Sequence, residues 1–185
     1  MTATYRAFES YCTVIDSLRA GGAEKLVLTV HRYLAGVCDV RPPVVTLFPG
    51  GQFEEQARAA GVRVVSLGDY RRMPAVEWIR RFRSFLAQEC PAVVHGHLFP
   101  VSYLLWASTS LMRRPPRILF TEHNVHNRRR DYRLVRRLEK RVYSRFSKVI
   151  CVSEEVQNRL VEWLPSEEEK TVVLSNCVEM PEMPS

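Results

Sequence analysis

Two stretches decide how this chain is read: Ala92-Val93-Val94-His95-Gly96-His97, and Arg117-Ile118-Leu119-Phe120-Thr121 running into Glu122-His123-Asn124-Val125-His126. Each begins as a short apolar run of the kind buried on both faces in a parallel sheet. Each ends in histidines, and together they hold four of the chain's five. In an open parallel α/β sheet, ligands bind just beyond the carboxyl ends of the strands. Histidine is a costly choice there for packing alone, but a useful one for gripping a hydroxyl or phosphate near neutral pH. The two runs therefore predict a small-molecule cleft at one edge of a sheet.

Working outward, strand and helix patterns alternate. Tyr11 to Ile15 reads as a strand, short or frayed at its start because Glu9 and Ser10 stand where aliphatic residues are usual. The Gly21-Gly22 turn leads into a helix with Leu26, Val30, Tyr33 and Leu34 on one face. Val44 to Phe48 is a strand ending in Pro49-Gly50-Gly51; Phe53 to Ala60 is a short helix and Val62 to Leu67 the next strand. Ala75 to Gln88 is helical, with Val76, Ile79, Phe82 and Leu86 in register. Ala92 to His95 is a strand, Val101 to Leu111 a mostly apolar helix, and Arg117 to Thr121 a strand. Asp131 to Phe146 is a helix with Leu134, Leu138, Val142 and Phe146 as its stripe. Val149 to Val152 is a strand, Ser153 caps the next helix, and Thr171 to Leu174 is the last strand. Seven strands with six helical crossovers predict an α/β fold, a doubly wound sheet of about seven parallel strands with helices on both faces.

The 185 residues suffice for one sizeable domain, and 46% hydrophobic with 25% charged residues is ordinary globular composition. No apolar run reaches membrane-span length, and the first ten residues lack the apolar core of a signal peptide. Five cysteines (Cys12, Cys38, Cys90, Cys151, Cys177), widely spaced and never in a C-x-x-C, predict free thiols in a reducing cytoplasm. The net charge of +7 is concentrated: between Asn127 and Lys148, ten Arg/Lys face only Asp131 and Glu139, so the remainder is close to neutral.

His95 and His97, two apart on a strand, share a face. His95 is expected as a hydrogen-bonded packing residue and His97 as the ligand-facing one. His123 is the ligand candidate of its pair, His126 a loop residue, and His31 a surface or boundary residue of the first helix. Gly21-Gly22 sits between a strand and a helix start, where bare backbone and helix N-terminal amides offer an anion site. It lacks the third glycine of the dinucleotide fingerprint, and a tight turn without a ligand remains the other reading.

These pieces, taken in order, resemble the retaining glycosyltransferases of family 4. Ile15-Asp16-Ser17-Leu18 leading to Gly21-Gly22-Ala23-Glu24 is similar to that family's opening, Val93-Val94-His95-Gly96-His97 to its VVHxH strand, and Thr121-Glu122-His123-Asn124 to its T-x-H strand end. Val149-Ile150-Cys151-Val152-Ser153-Glu154 resembles its V-S helix start. Val173-Leu174-Ser175-Asn176-Cys177-Val178 resembles its PNGVD segment, with Ser175 in place of proline and Cys177 in place of glycine. The resemblance implies a GT-B architecture of two Rossmann-like domains. Residues 1–176 would be the N-terminal, acceptor-side domain, 177–185 the start of an interdomain linker, and the donor-binding domain would be absent, leaving the chain alone inactive. It further implies His97 and His123 at the reaction centre, Gly21 and Gly22 near the donor diphosphate or sugar, and Arg19 and Asn124 toward the acceptor. The donor would be a nucleotide sugar such as a UDP- or GDP-sugar, the acceptor a glycan or lipid-linked saccharide, the reaction hexosyl transfer in polysaccharide biosynthesis, and no metal or cofactor would be needed.

Two other classes use the same residues differently. His95, His97, His123 and Glu122 form a conceivable zinc set for a hydrolytic α/β domain, without cysteine pairs or an H-E-x-x-H helix. The basic segment and a pI of about 9.4 suit a nucleic-acid-binding module. Its aromatics are sparse (Tyr132, Tyr143), so nucleic acid is not the expected partner. A solvated basic face is one reading; the other places Arg129, Arg133 and Arg137 against an anionic membrane, with the protein cytoplasmic or peripheral to the inner face of the cell membrane.

Overall fold

Seven strands, Tyr11–Ile15 (β1), Val44–Thr46 (β2), Val64–Ser66 (β3), Val93–His97 (β4), Arg117–Glu122 (β5), Lys148–Cys151 (β6) and Thr171–Val173 (β7), form one sheet in the order β3-β2-β1-β4-β5-β6-β7. Every neighbouring pair is parallel. The computed structural model describes residues 10–37, 39–69, 71–127, 130 and 132–176. Between the strands run Gly22–Val37 (α1), Gln52–Ala59 (α2), Ala75–Glu89 (α3), Val101–Thr109 (α4), Arg133–Tyr143 (α5) and Glu154–Trp163 (α6), and a 3-10 helix over Pro165–Lys170 precedes β7. This is the doubly wound α/β sheet that the alternating pattern predicts. The expected linker at 177–185, and Cys38 and Cys177, lie outside the described residues.

The strand runs are apolar on both faces because both are covered. Val27 and Leu28 of α1 and Ala57 of α2 pack with Ile15, Val44 and Val64 on one face. Phe82, Phe85 and Leu86 of α3, Leu104 and Leu105 of α4, Val142 and Tyr143 of α5, and Val156 and Leu160 of α6 fill the other, against Val94, Ile118, Phe120 and Val149. Each of the larger aliphatic and phenylalanine side chains among these contributes about 1.5–3 kcal/mol by leaving water. Ser153 caps α6 as expected, its Oγ accepting from the Val156 N–H at 3.3 Å. Among the described residues no helix is long and apolar enough to cross a membrane.

Two glycines are required by close approach. Gly51, at φ +131°, opens α2 where a Cβ would strike the Leu18 carbonyl. Gly96, between the two histidines of β4, lets α4 settle on the sheet; a Cβ there would lie 2.5 Å from Leu105 Cδ1 and 3.1 Å from Val101 Cγ1.

The helix positions follow the sequence pattern, but several faces do not. On α1 the inward residues are Val27, Leu28, His31 and Leu34, while Val30 and Tyr33 are exposed. Val76, expected in register on α3, is 70% exposed. On α5 the expected stripe fails in its first half: Leu134 is 78% exposed and Leu138 is also exposed, while Glu139, Val142, Tyr143 and, just beyond the helix, Phe146 are buried. A four-residue step overshoots the 3.6-residue turn by about 40°. The three such steps from Phe146 back to Leu134 accumulate about 120° and rotate the stripe off the sheet.

The strand order reverses between β1 and β4: the chain winds outward from β1 to β3, then returns to lay β4 against the other side of β1. The crevice beyond the carboxyl ends at this switch point is where such a sheet binds ligands.

Candidate functional site

At that switch point the structure assembles a row of hydrogen-bonded polar side chains on one face of the sheet. In register, Thr13 stands opposite His95, and His97 opposite Thr121. His31 Nε2 lies 2.8 Å from Thr13 Oγ1, which donates to the Tyr11 hydroxyl at 3.2 Å. The Tyr11 hydroxyl lies 2.8 Å from His95 Nδ1, and His95 Nε2 2.7 Å from Thr121 Oγ1. Each of these contacts pairs a ring nitrogen with a hydroxyl, which can donate or accept, so a neutral imidazole of either tautomer satisfies it. A second rung joins His97 Nδ1 to His123 Nε2 at 3.1 Å. The rungs touch through the His95 and His97 rings, 4.2 Å apart between centroids.

Burial keeps these imidazoles neutral. Desolvation pulls His31, His95 and His123 down to about 4, with the neighbouring histidines adding to the effect on His95. It holds His97 well below the ordinary range, assisted by His95, His123 and His31. At neutral pH the row therefore offers neutral N–H donors and N acceptors rather than positive charge, which suits hydroxyl recognition better than anion capture.

A cavity of about 170 Å³ lies over the row, floored by Tyr11, Thr13, His31, His95, His97 and Thr121. Its other walls are Leu26, Val27 and Val30 of α1, Ile150 of β6 and Val152 just beyond it, and residues 174–176. A few convergent polar groups under apolar walls is the ordinary make-up of a small-molecule pocket.

His97 and His123 are thus brought together as expected, although His97 is the more buried of the β4 pair and His95, hydrogen-bonded as anticipated, lines the same cavity. His31 corrects its expectation: it is 2% exposed and anchors the row from α1. Tyr11, Thr13 and Thr121 had no sequence expectation as site residues. Asn124 is exposed immediately beyond β5. Arg19 is exposed beyond β1, its guanidinium 5.5 Å from the Phe48 ring that Arg71 also covers at 4.6 Å, on the β2 side of the switch point. The structure does not join Arg19 to the histidine row.

Gly21 precedes and Gly22 begins α1, as expected of the turn, and Gly22 faces open space. The Glu24 carboxylate folds back against Gly21, where a carboxylate favours the helix dipole. Burial raises the pKa of both Asp16 and Glu24 in this turn. The amides at the head of α1 therefore already face a protein carboxylate.

Glu122, one member of the conceivable zinc set, points away from the histidines and accepts from the Tyr143 hydroxyl at 2.5 Å. Among the described residues no group of three or more His, Cys, Asp or Glu is placed to hold a metal ion. Cys12, Cys90 and Cys151 are free thiols, and burial pushes Cys12 to about 12 and Cys151 to about 11, which leaves both unreactive.

The basic segment divides. Arg133 and Arg137 are exposed on α5, with the apolar Leu134 between them and Tyr132 before them, and Arg129 lies outside the described residues. Arg130 departs from a solvated basic face: its side chain is 10% exposed and paired with Glu122.

Solved structures share this fold. Anabaena Alr3699/HepE, in complex with UDP and glucose, superposes with a TM-score of 0.72 at 15% identity, over 92% of this chain and 45% of that one. A glycosyltransferase from Rickettsia africae gives 0.65 at 19% identity, over 89% and 42%. The lipopolysaccharide outer core galactosyltransferase WaaB gives 0.67 at 8%, over 93% and 47%. The chain thus spans less than half the length of each of these proteins. A search of curated proteins finds no match. The profile of Glycosyltransferase Family 4 matches residues 20–180, which takes in the glycine turn, both histidine strands and the basic helix. By that match the chain belongs to Glycosyltransferase Family 4.

Proposed function

We propose that this chain is the acceptor-side half of a retaining glycosyltransferase that moves a hexose from a nucleotide sugar, UDP- or GDP-linked, to a glycan or lipid-linked acceptor. The observation that carries the reading is the His97–His123 pair at the carboxyl ends of β4 and β5, beside the switch point, in a chain of this family. Neutral imidazoles there grip sugar hydroxyls. They hold the reacting oxygen in place without presenting charge. The turn at Gly21 and Gly22 meets the donor sugar, open at Gly22; the Glu24 carboxylate beside Gly21 favours a hydroxyl-rich ring over the diphosphate at that point. Asn124 and Arg19 flank the opening from opposite sides and contact the acceptor. The leaving diphosphate needs preorganised positive charge, and the histidine row supplies none, so that charge belongs to a second, donor-binding domain.

The test is turnover by the chain alone. Purified 1–185 is expected to fold, bind nucleotide sugar weakly, and transfer no sugar to any acceptor above background. Steady multiple turnover of UDP-glucose or GDP-mannose by 1–185 would place the whole donor site within this domain and overturn the division of labour.

The exposed side of α5 supports peripheral attachment to an anionic membrane. Leu134, Leu138 and Tyr132 stand in solvent among Arg133, Arg137 and Arg141, a pairing of apolar and basic groups suited to a membrane interface. Each basic residue near such a surface contributes about 1 kcal/mol. Reversing Arg133 and Arg137 to Glu is expected to abolish co-sedimentation with phosphatidylglycerol vesicles at low salt while leaving the melting temperature within a few degrees. If the wild-type chain never sediments with them, α5 is only a solvated face.

A further inference from the structure

On the other face of the sheet from the histidine row, Arg130 is held in an unusual state. Its side chain is 10% exposed, and its Nη2 lies 3.4 Å from Glu122 Oε2, the oxygen that already accepts from the Tyr143 hydroxyl at 2.5 Å. None of its three guanidinium nitrogens makes a hydrogen bond. A guanidinium carries five N–H donors in a rigid fork, and burying them without acceptors is costly. Pairing with Glu122 compensates the charge but satisfies none of the fork.

Two clefts adjoin Arg130, and its guanidinium nitrogens lie enclosed between them and Glu122. Arg130 and Trp163 form a common wall of two clefts, one of about 360 Å³ toward Asn127 and one of about 880 Å³ along α5. The larger is lined by Arg133, Arg136, Arg137 and Lys140 and closed by residues 163–166, with no acidic residue among its described lining. Arg136 is fixed rather than free: its Nε donates to the Trp163 carbonyl at 2.7 Å, and its guanidinium lies 5.6 Å from the indole ring. Trp163 in turn donates its Nε1–H to Glu139 at 2.8 Å, which ties the wall to the buried side of α5.

We propose that this cleft is a phosphoryl-binding site, taking a phosphate monoester or diphosphate, with Arg130 as its buried anchor and Arg133, Arg136, Arg137 and Lys140 around the rim. A tetrahedral oxyanion presents pairs of oxygens that match the guanidinium fork, which is why arginine rather than lysine stands at such sites. The site goes beyond sugar transfer at the histidine row and does not rest on it. The phosphoryl group has two sources, a soluble phosphorylated ligand or a phospholipid headgroup, and the two arms of the experiment separate them.

Inorganic pyrophosphate and inorganic phosphate are titrated calorimetrically into the full chain, and phosphatidylglycerol vesicles are sedimented with it, for wild type, Arg130→Lys and Arg130→Gln. Arg130→Lys keeps a cation beside Glu122 and so preserves the fold while removing the fork. Wild type is expected to bind pyrophosphate at one site, with affinity lowered at least tenfold in Arg130→Lys at an unchanged melting temperature. Binding of vesicles alone, lost in Arg130→Lys, assigns the site to a lipid headgroup and upholds it. Equal affinity of all three proteins for both probes means a diffuse basic surface, and silence of wild type toward both probes means no site; either overturns the proposal. Should both Arg130 variants melt early, Arg133→Gln/Arg137→Gln, which leaves Glu122 paired, is expected to weaken pyrophosphate binding severalfold, and unchanged binding there overturns it as well.

Discussion

Acidification from pH 7 to pH 5 is expected to remove most of the stability of this chain, with unfolding centred between about pH 4 and 5.5. The cause is the four neutral histidines. His31, His95 and His123 titrate near 4 in the fold, and His97 well below its ordinary 6.5, all because burial penalises the imidazolium. In the unfolded chain each titrates near 6.5. As the pH falls below that value the unfolded state takes up protons first, so stability is fully present above 6.5 and lost on the way down to about 4. Each histidine costs about 1.4 kcal/mol per pH unit in that window, and three or four together about 4–6. A domain of ordinary stability has about 5–15 kcal/mol to lose. Asp16 and Glu24, whose pKa values are raised by burial, act in the opposite direction, gaining as the pH falls; two partly buried carboxyls offset only part of the loss. Urea unfolding at pH 7.5, 6.0 and 5.0 with proton uptake measured directly checks this. His31→Leu should lower the uptake by about one proton, and at pH 7.5 His31→Ala should cost about 1–3 kcal/mol by stranding Thr13. Stability that is flat from pH 7 to 5 would mean that the imidazoles are solvated and the row is not closed.

The strands were legible because a parallel sheet buries both faces, and each strand then appears as a short apolar run with nothing to compete with it. The placement of His97 and His123 at one crevice was legible for the same reason: strand ends locate themselves once the runs are found. The row itself was not. Thr13 meets His95 only because β1 pairs with β4, eighty residues downstream in the chain, and this pairing depends on the order of all the strands. The local signal existed, since Tyr11-x-Thr13 and His95-x-His97 each put two polar groups on one face of an apolar strand. His31 was misassigned because a histidine on a helix is ambiguous until its partner is known; Thr13 makes it an interior residue.

Faces of helices were the weaker reading, and α5 shows why. Leu134 and Leu138 looked inward by spacing, whereas the helix buries Glu139 against the Trp163 indole and Tyr143 against Glu122. A hydrophobic pattern assigns charged residues to water, so a helix whose buried side carries compensated polar pairs is read with the wrong rotation. The same cause hid Arg130, one arginine among ten basic residues in that segment and the one set apart by its burial.

Replacing His123 or His97 by alanine should lower sugar transfer by about 10²-fold or more in an enzyme that carries the donor-binding half, joined to this chain or supplied with it. That factor corresponds to about 2.7 kcal/mol, the scale of one contact made in the transition state. His123 is the cleaner probe because it is only half-buried beyond β5, so its loss leaves the core intact. His97 lies nearly out of solvent, and its replacement also lowers stability; kcat measured well below the melting temperature separates the two effects. The 3.1 Å hydrogen bond between them makes a further demand. Residues in direct contact do not contribute independently, so the double variant should be much less than 10⁴-fold impaired. His95→Ala should act through stability, since it unpairs both Tyr11 and Thr121. Tyr33→Ala, on the outer face of α1, should leave the rate unchanged. Because the imidazoles are neutral, the rate should show no acid limb near 6.5 and should fall only where the fold itself fails. If His97→Ala and His123→Ala both turn over within about twofold of wild type, these histidines only brace β4 against β5, and the sugar is held elsewhere.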